Sequence, residues 1–327
     1  MGFKLLKLPY LVQRMALGQM ELMKLFDLTF MSQDLAYAAH TLYITAFEFQ
    51  THINENQMSI KTTLLNHDNH NIKISFVIDK VPIKTMFRRW NGRRIQIKRT
   101  GKMFTLKVGK DQNENLSILE ELTKHLLGIL RVEDFHMSSV LNIFETSIFK
   151  NTRKFYNVNL KRHDLTVAQT RYLLETMEID TLHLNHTGPK GPKGEQEDFE
   201  LKHRIMDLGV VDWLSFKSVL NMKCEILKFE RMNHMTPKDF VEFVRTWANG
   251  GFENLVEFYC RVPHRWEFHD NGKTYVYRDD LYKSFEEIGI TVVKDTREGH
   301  QKTLQRKSDG KKAELIFIEY FKFVVLQ

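Results

Sequence analysis

Apolar residues open this chain at helical spacing. Val12, Met15 and Ala16 recur three and four apart, and Leu22, Leu25 and Phe26 do the same. Pro9 fixes its own φ and suits a first helical turn, while Gly18 can close one. Ser32 suits the N-cap of a third helix through Leu35, Ala36 and Ala39. So short a helical stretch rarely stabilises itself, so its apolar sides need a partner, either the rest of the chain or another protein. From Tyr43 the period changes to two. Tyr43–Phe49, Ile72–Ile78, Ile95–Lys98 and Phe104–Val108 read as strands, with Thr100-Gly101-Lys102 as a turn. A polar loop follows, and Ile118, Leu119, Leu122 and Leu126 predict a helix that ends at Gly128.

Strand and helix signals then alternate. Ile129–Val132 reads as a strand, and Met137, Val140, Leu141 and Phe144 predict a helix at i, i+3, i+4 and i+7. Phe155–Leu160, Thr181–Leu184, Glu225–Phe229 and Leu255–Tyr259 read as strands. Thr166 with Gln169 forms a capping-box pattern ahead of Leu173, Leu174 and Met177. Thr236, with Pro237 at the first helical position, starts a helix bearing Phe240, Phe243, Val244 and Trp247 on one side and ending at Gly250. The two units align, Thr236 on Thr166, Phe243 on Leu173 and Trp247 on Met177. Such units fit a leucine-rich-repeat-like stack or a plain parallel α/β layer. Beyond them, Asn271-Gly272 and Asp309-Gly310 are hairpin signals, which predicts a small antiparallel cap. Gly188–Gly194 with the acidic residues after it reads as a solvated loop.

Composition narrows the class. The 327 residues are 42% hydrophobic with 24 Phe, enough for a core and too apolar for extended disorder. Two cysteines make no disulfide framework, so a reducing compartment, cytosol or nucleus, is expected. No apolar run reaches membrane-spanning length, and no membrane association is expected. The net charge of +7 implies only weak attraction to acidic partners.

Chemistry-bearing motifs are sparse. There is no G-x-S-x-G, phosphate-binding glycine loop or H-E-x-x-H, so a non-catalytic protein is expected. His183 and His186 fall on opposite sides of a strand, and Cys224 and Cys260 lack metal-ligand spacing, so no metal or other cofactor is expected. Arg88-Arg89-Trp90-Asn91-Gly92-Arg93-Arg94 is the densest basic cluster. A tryptophan among arginines suits nucleic-acid backbone and bases, although one short cluster with modest net charge makes that partner unlikely on sequence alone. Trp213 is a further candidate partner contact, at a sheet edge or on a partner surface.

Leu8-Pro9, Leu11, Val12, Met20, Leu22, Leu25 and Leu28 resemble an F-box, with Phe30-Met31-Ser32-Gln33-Asp34 departing from the usual tail. Asp212-Trp213-Leu214, Leu220–Cys224, Asp239-Phe240, Phe243, Trp247–Gly251 and Arg306, Ser308, Asp309, Gly310 and Ala313 are similar to the F-box-associated domain of the family expanded in nematodes. The strand–helix pattern predicts an α/β protein, an irregular leucine-rich-repeat-like α/β domain with an antiparallel C-terminal cap, and this resemblance implies a small N-terminal three-helix F-box before it. Residues 1–42 would form the F-box. Residues 43–327 would form the associated domain: 43–110 mostly strands, 111–262 strand–helix repeats, 263–327 the cap. It also implies a substrate-recognition subunit of a ubiquitin ligase. Leu5, Leu8, Pro9, Leu11, Val12, Met20, Leu22, Leu25 and Leu28 would bind a Skp-type adaptor, and through it a cullin, while the C-terminal domain binds a substrate protein. The alternative is a stand-alone protein- or nucleic-acid-binding α/β domain with a degenerate F-box.

Overall fold

The chain divides into two compact units, Met1–Tyr156 and Asn157–Gln327. The division falls within the stretch that the sequence reads as strand–helix repeats. The computed structural model describes residues 9–54, 57–65, 71–79, 87–90, 93–107, 112–140, 144, 146–152, 154–161, 164–185, 188–189, 196–261, 267–270, 273–276, 291–295, 301–306, 309–317 and 320–326.

The N-terminal unit begins with α1 (Tyr10–Gly18), α2 (Leu22–Thr29) and α3 (Gln33–His40). The Pro9 carbonyl accepts from the Val12 and Gln13 amides and so starts α1. Ser32 caps α3 by accepting from the Leu35 amide. Six strands follow: β1 (Ile44–Ile53), β2 (Met58–Leu65), β3 (Asn71–Asp79), β4 (Phe87–Trp90), β5 (Arg93–Thr100) and β6 (Met103–Lys107). Then come α4 (Gln112–Leu127), β7 (Leu130–Ser139), α5 (Ser147–Asn151) and β8 (Lys154–Lys161), within which the boundary between the two units falls. Within this unit the sheet order is β7-β1-β2-β3-β6-β5-β4, so β4 is an outermost strand. β1 runs parallel to β7 and antiparallel to β2, and β3 runs parallel to β6.

One face of this sheet is apolar by strict alternation. Ile60 and Leu64 of β2, Ile74, Phe76 and Ile78 of β3, and Phe104 and Leu106 of β6 are all buried there. Against them lie Phe26 and Phe30. The Phe26 and Phe76 rings meet edge-on at 6.0 Å, and Phe76 stacks on Phe104 at 5.1 Å. Ile118, Leu119, Leu122 and Leu126 bury the inner side of α4, which packs on β2 and β7. Burying each such side chain contributes about 1.5–3 kcal/mol. α2 therefore owes its stability to the sheet.

A correction concerns residues 130–139. The expected helix through Met137 is instead strand β7, whose Phe135, Met137 and Ser139 alternate inward. Ten-residue β1 supplies a ladder for it from Ile44↔Leu130 to Ile53↔Ser139. That long-range pairing outweighs the local helical spacing.

The second unit contains β9 (Asp164–Leu165), α6 (Val167–Arg171) continued by a π turn at Tyr172–Thr176, β10 (Glu178–Asn185) and β11 (Gly188–Pro189). Next come β12 (Ile205–Val210), α7 (Phe216–Leu220), β13 (Ile226–Arg231), α8 (Pro237–Ala248) and β14 (Glu257–Arg261). The chain continues through β15 (Glu267–Asp270), β16 (Lys273–Val276), β17 (Thr291–Asp295), β18 (Gln301–Gln305), β19 (Lys312–Phe317) and β20 (Tyr320–Leu326). Strands β10, β12, β13 and β14 pair in parallel, and the antiparallel run β20, β19, β18, β17 continues from β14. The sheet is thus mixed, and the fold is α/β. Thr166 and Gln169 exchange the two bonds of a capping box, at 3.1 and 2.9 Å. The Asp239 carboxylate accepts from both the amide and the hydroxyl of Thr236 at the start of α8. β15 and β16 form a hairpin in which Asp270 faces Lys273, as the Asn271-Gly272 pattern predicts. β19 and β20 pair antiparallel from Lys312↔Leu326 to Phe317↔Phe321.

Candidate functional site

Two features set this protein's chemistry: an outward apolar helix and a tied aromatic corner. The first is α1. Its anchor is Leu17, fully buried. Leu11 is 65% exposed and Met15 64%, four residues apart and so on one side of the helix. Tyr10 and Val12 are exposed beside them. Contiguous exposed apolar residues on one helix make a candidate interaction surface.

The candidate adaptor contacts separate in the structure. Pro9, Leu11 and Val12 are exposed. Met20, Leu22 and Leu28 are half-buried. Leu25 is buried and belongs to the core, which corrects its assignment as a surface contact. It sits on the side of α2 that also buries Phe26 and Met23, so helical spacing alone could not separate it from exposed leucines. Leu5 and Leu8 lie outside the described residues.

Polar contacts fasten α2 to β5 and α4. Asp27 on α2 accepts from Arg99 on β5 at 2.6 Å. His125, in the last turn of α4, stacks on Phe30 at 4.9 Å and lies 3.2 Å from the Thr29 hydroxyl. Burial lowers its pKa to about 4, so the ring is neutral at physiological pH. Sequence reading missed this residue, because a histidine near the end of a helix is usually a solvated partner of the helix carbonyls.

The second feature joins residues distant in sequence. Arg306, only 6% exposed, donates to the Trp247 carbonyl at 2.9 Å and to both Asp309 oxygens at 2.9 and 2.6 Å. Its guanidinium also lies 5.2 Å from the Trp247 ring centre. Asp309 titrates below the usual carboxylate range because Arg306 donates to it. Gly250 ends α8 at φ +92° and Gly310 turns the β18–β19 hairpin at φ +70°, conformations that L side chains resist. The α8 side chains Phe243 and Trp247 meet Phe258, Phe321 and Phe323 across the sheet.

Trp213 is the other correction. Expected at an edge or on a partner surface, it is 8% exposed and meets Phe199 edge-on at 5.3 Å. Arg171 covers the far side of Phe199 at 4.9 Å. An aromatic pair under a cation is a core arrangement. Arg88, Arg89, Trp90, Arg93 and Arg94 pair by backbone in the β4–β5 hairpin, while their side chains lie outside the described residues.

Both thiols are inert as nucleophiles. Burial pushes Cys224 and Cys260 up to about 12, so neither is a thiolate at neutral pH. Cys224 donates to the Leu201 carbonyl at 3.4 Å. Among the described residues no cluster of His, Cys, Asp and Glu has metal-holding geometry.

The polar side of the sheet strands in the second unit carries a row in register: His183, Asp207, Lys228, Tyr259 and Lys322. His183 lies 3.4 Å from Asp207, and Glu257 holds Lys228 and Lys322 at 3.2 and 3.6 Å. At the strand starts Arg204 spans Asp180, at 2.8 and 2.9 Å, and Glu225, at 3.3 Å. That lowers Asp180 and raises Arg204. The charges on this side are largely self-neutralised.

Comparison with known families gives one match: the family model described as F-box associated matches residues 199–260. These residues run from Phe199 through Trp213, Cys224 and Trp247 to Cys260. No curated protein and no solved structure matches the chain.

Proposed function

We propose that the chain is the substrate-recognition subunit of a Skp–cullin–F-box ubiquitin ligase. The observation that carries this reading is the outward apolar side of α1. The F-box-associated match in the second unit is its further support. In this reading α1 to α3 are the F-box, and Pro9, Leu11, Val12 and Met15 enter a groove on a Skp-type adaptor. Leu25 acts from inside, holding α2 on the sheet that carries the module. Leu5 and Leu8 extend the contact N-terminally, and Met20, Leu22 and Leu28 form its half-buried margin.

The parallel strand–helix succession of the second unit is then read as repeat-like, its open side capturing a substrate protein. The ligase works by proximity: holding the substrate near a charged conjugating enzyme raises their effective concentration. Thiols held protonated fit a scaffold and not a thioester-forming ligase.

A pull-down on immobilised Skp-type adaptor tests the reading. The full chain should be retained, and Leu11→Glu/Met15→Glu should lower retention at least about tenfold with its thermal melt unchanged, because both side chains already face water. Equal retention of the double variant removes α1 from the contact. No retention of the unmodified chain sinks the adaptor role.

A further inference from the structure

The whole-chain charge of +7 conceals a strong asymmetry. Residues 58–107, spanning β2 to β6, contain twelve Lys and Arg against two acids, Asp68 and Asp79. That segment is therefore at +10, and the remainder of the chain is slightly acidic. The modest total that argues against a polyanionic partner is an average over two very different surfaces.

The fold concentrates part of this charge on one face. Ile60, Ile74, Phe76 and Leu106 point to the helices, so the alternate residues Lys61, Lys73 and Lys98 lie on the opposite, open face. All three are exposed, as is Lys102 in the β5–β6 turn. Register sets their spacing. Lys61 faces Ser75 and Lys73 faces Thr63 on the neighbouring strand, so the two lysines are diagonal neighbours about 7–8 Å apart. Lys98 faces Thr105, which faces Val77. At 0.1 M salt the Debye length is about 10 Å, so the fields of the diagonal pair add.

Among the described residues none of these four lysines has an ion-pair partner. In the second unit, by contrast, Lys217, Lys223, Lys228 and Lys322 each hold a carboxylate. Like charges left side by side on a sheet oppose folding. An array of this kind, with the Ser75 and Thr105 hydroxyls beside it, is complementary to a chain of phosphates; the Thr63 hydroxyl is already engaged, donating to Glu48 on β1 at 3.1 Å. At the sheet margin the backbone pairs Trp90 with Arg93 and Arg89 with Arg94. A tryptophan between arginine pairs is the residue pattern that stacks bases, which favours nucleic acid over an acidic polypeptide.

We infer that the open face of the N-terminal sheet binds single-stranded nucleic acid, through backbone phosphates held by Lys61, Lys73 and Lys98. This activity does not depend on the adaptor reading, and the α1 double variant should leave it intact.

The test is fluorescence anisotropy with a labelled single-stranded RNA 20-mer and the full chain, titrated across salt. The intact protein should bind. Lys61→Glu/Lys73→Glu/Lys98→Glu should weaken binding at least about tenfold at 0.1 M salt. It should also make the plot of log affinity against log salt shallower by about 2, as expected for three lost phosphate contacts. Lys238→Glu/Arg261→Glu/Lys312→Glu, exposed in the second unit, makes the same change in net charge and should stay within about twofold of the parent. If the glutamate variant melts early, the glutamine triple at the same lysines makes the same comparison. Three outcomes overturn the inference: no RNA binding by the intact chain, equal losses in both triple variants, or displacement of RNA by a polyglutamate 20-mer at lower concentration than by unlabelled RNA. The last would assign the face to an acidic protein.

Discussion

Arg306 shows how much one side chain can hold. It is buried, charged and bonded four ways, to a carboxylate, a carbonyl and an aromatic face. Lysine keeps the charge but not the planar fork. Arg306→Lys should therefore cost about 2–4 kcal/mol, read as a lower denaturant midpoint with unchanged slope. Sequence reading placed Arg306 and Trp247 in the same family resemblance, yet nothing local says that they touch, since 59 residues separate them. Trp213 failed for a related reason. Its neighbour Phe199 follows an acidic loop, and the packing of the two depends on chain paths that periodicity does not describe. Cys224 and Cys260 were legible, because an apolar context already implies burial and a raised pKa.

Among elements, the docking of α2 is the piece most sensitive to conditions. His125 has its pKa held near 4 in the folded chain, against about 6.5 when unfolded. A base whose pKa is lowered by folding costs nothing while neutral in both states. As pH falls below 6.5 the unfolded chain takes up the proton first, so stability declines until about pH 4, by on the order of 3 kcal/mol. Buried His203, also lowered, adds to the same decline, whereas the lowered Asp180 and Asp309 act only at more acid pH. His125→Phe keeps the stack on Phe30 and should flatten much of the loss between pH 6.5 and 4 in urea titrations. If the variant follows the parental pH curve, His125 is not the group responsible. The strands after Tyr43, helix α4 and helix α8 were readable because their apolar periods are long and uninterrupted. β2 escaped notice although Met58, Ile60 and Leu64 alternate, because a lysine and three hydroxyl residues dilute the run. β7 was misread because its partner β1 lies far upstream, and a ladder of nine pairs is invisible to a local window.

At the scale of the whole molecule, the described surface presents an exposed apolar helix and a row of exposed lysines in the first unit, and ion-paired charges on the polar side of the second. Of the candidate α1 contacts Leu11 and Val12 are exposed, but exposure could not be read from spacing, and Leu25 was lost to the core. The basic face was hidden by averaging charge over the chain. The second unit also depends on late residues: β20 pairs with β14 and supplies Phe321 and Phe323 to the α8 aromatics. Deleting residues 320–327 should leave β14 as a bare edge, and the shortened chain should partition to the insoluble fraction while the full chain stays soluble. The same pairing sets a clock during synthesis. Trp247 emerges from the ribosome 59 residues before Arg306, and β20 follows later still. At about 5–20 residues per second the α8 aromatics wait some 3–12 seconds for Arg306 alone. Over that interval the nascent chain needs a chaperone's cover, and a stalled ribosome in the last sixty or so codons would release an adhesive half-sheet.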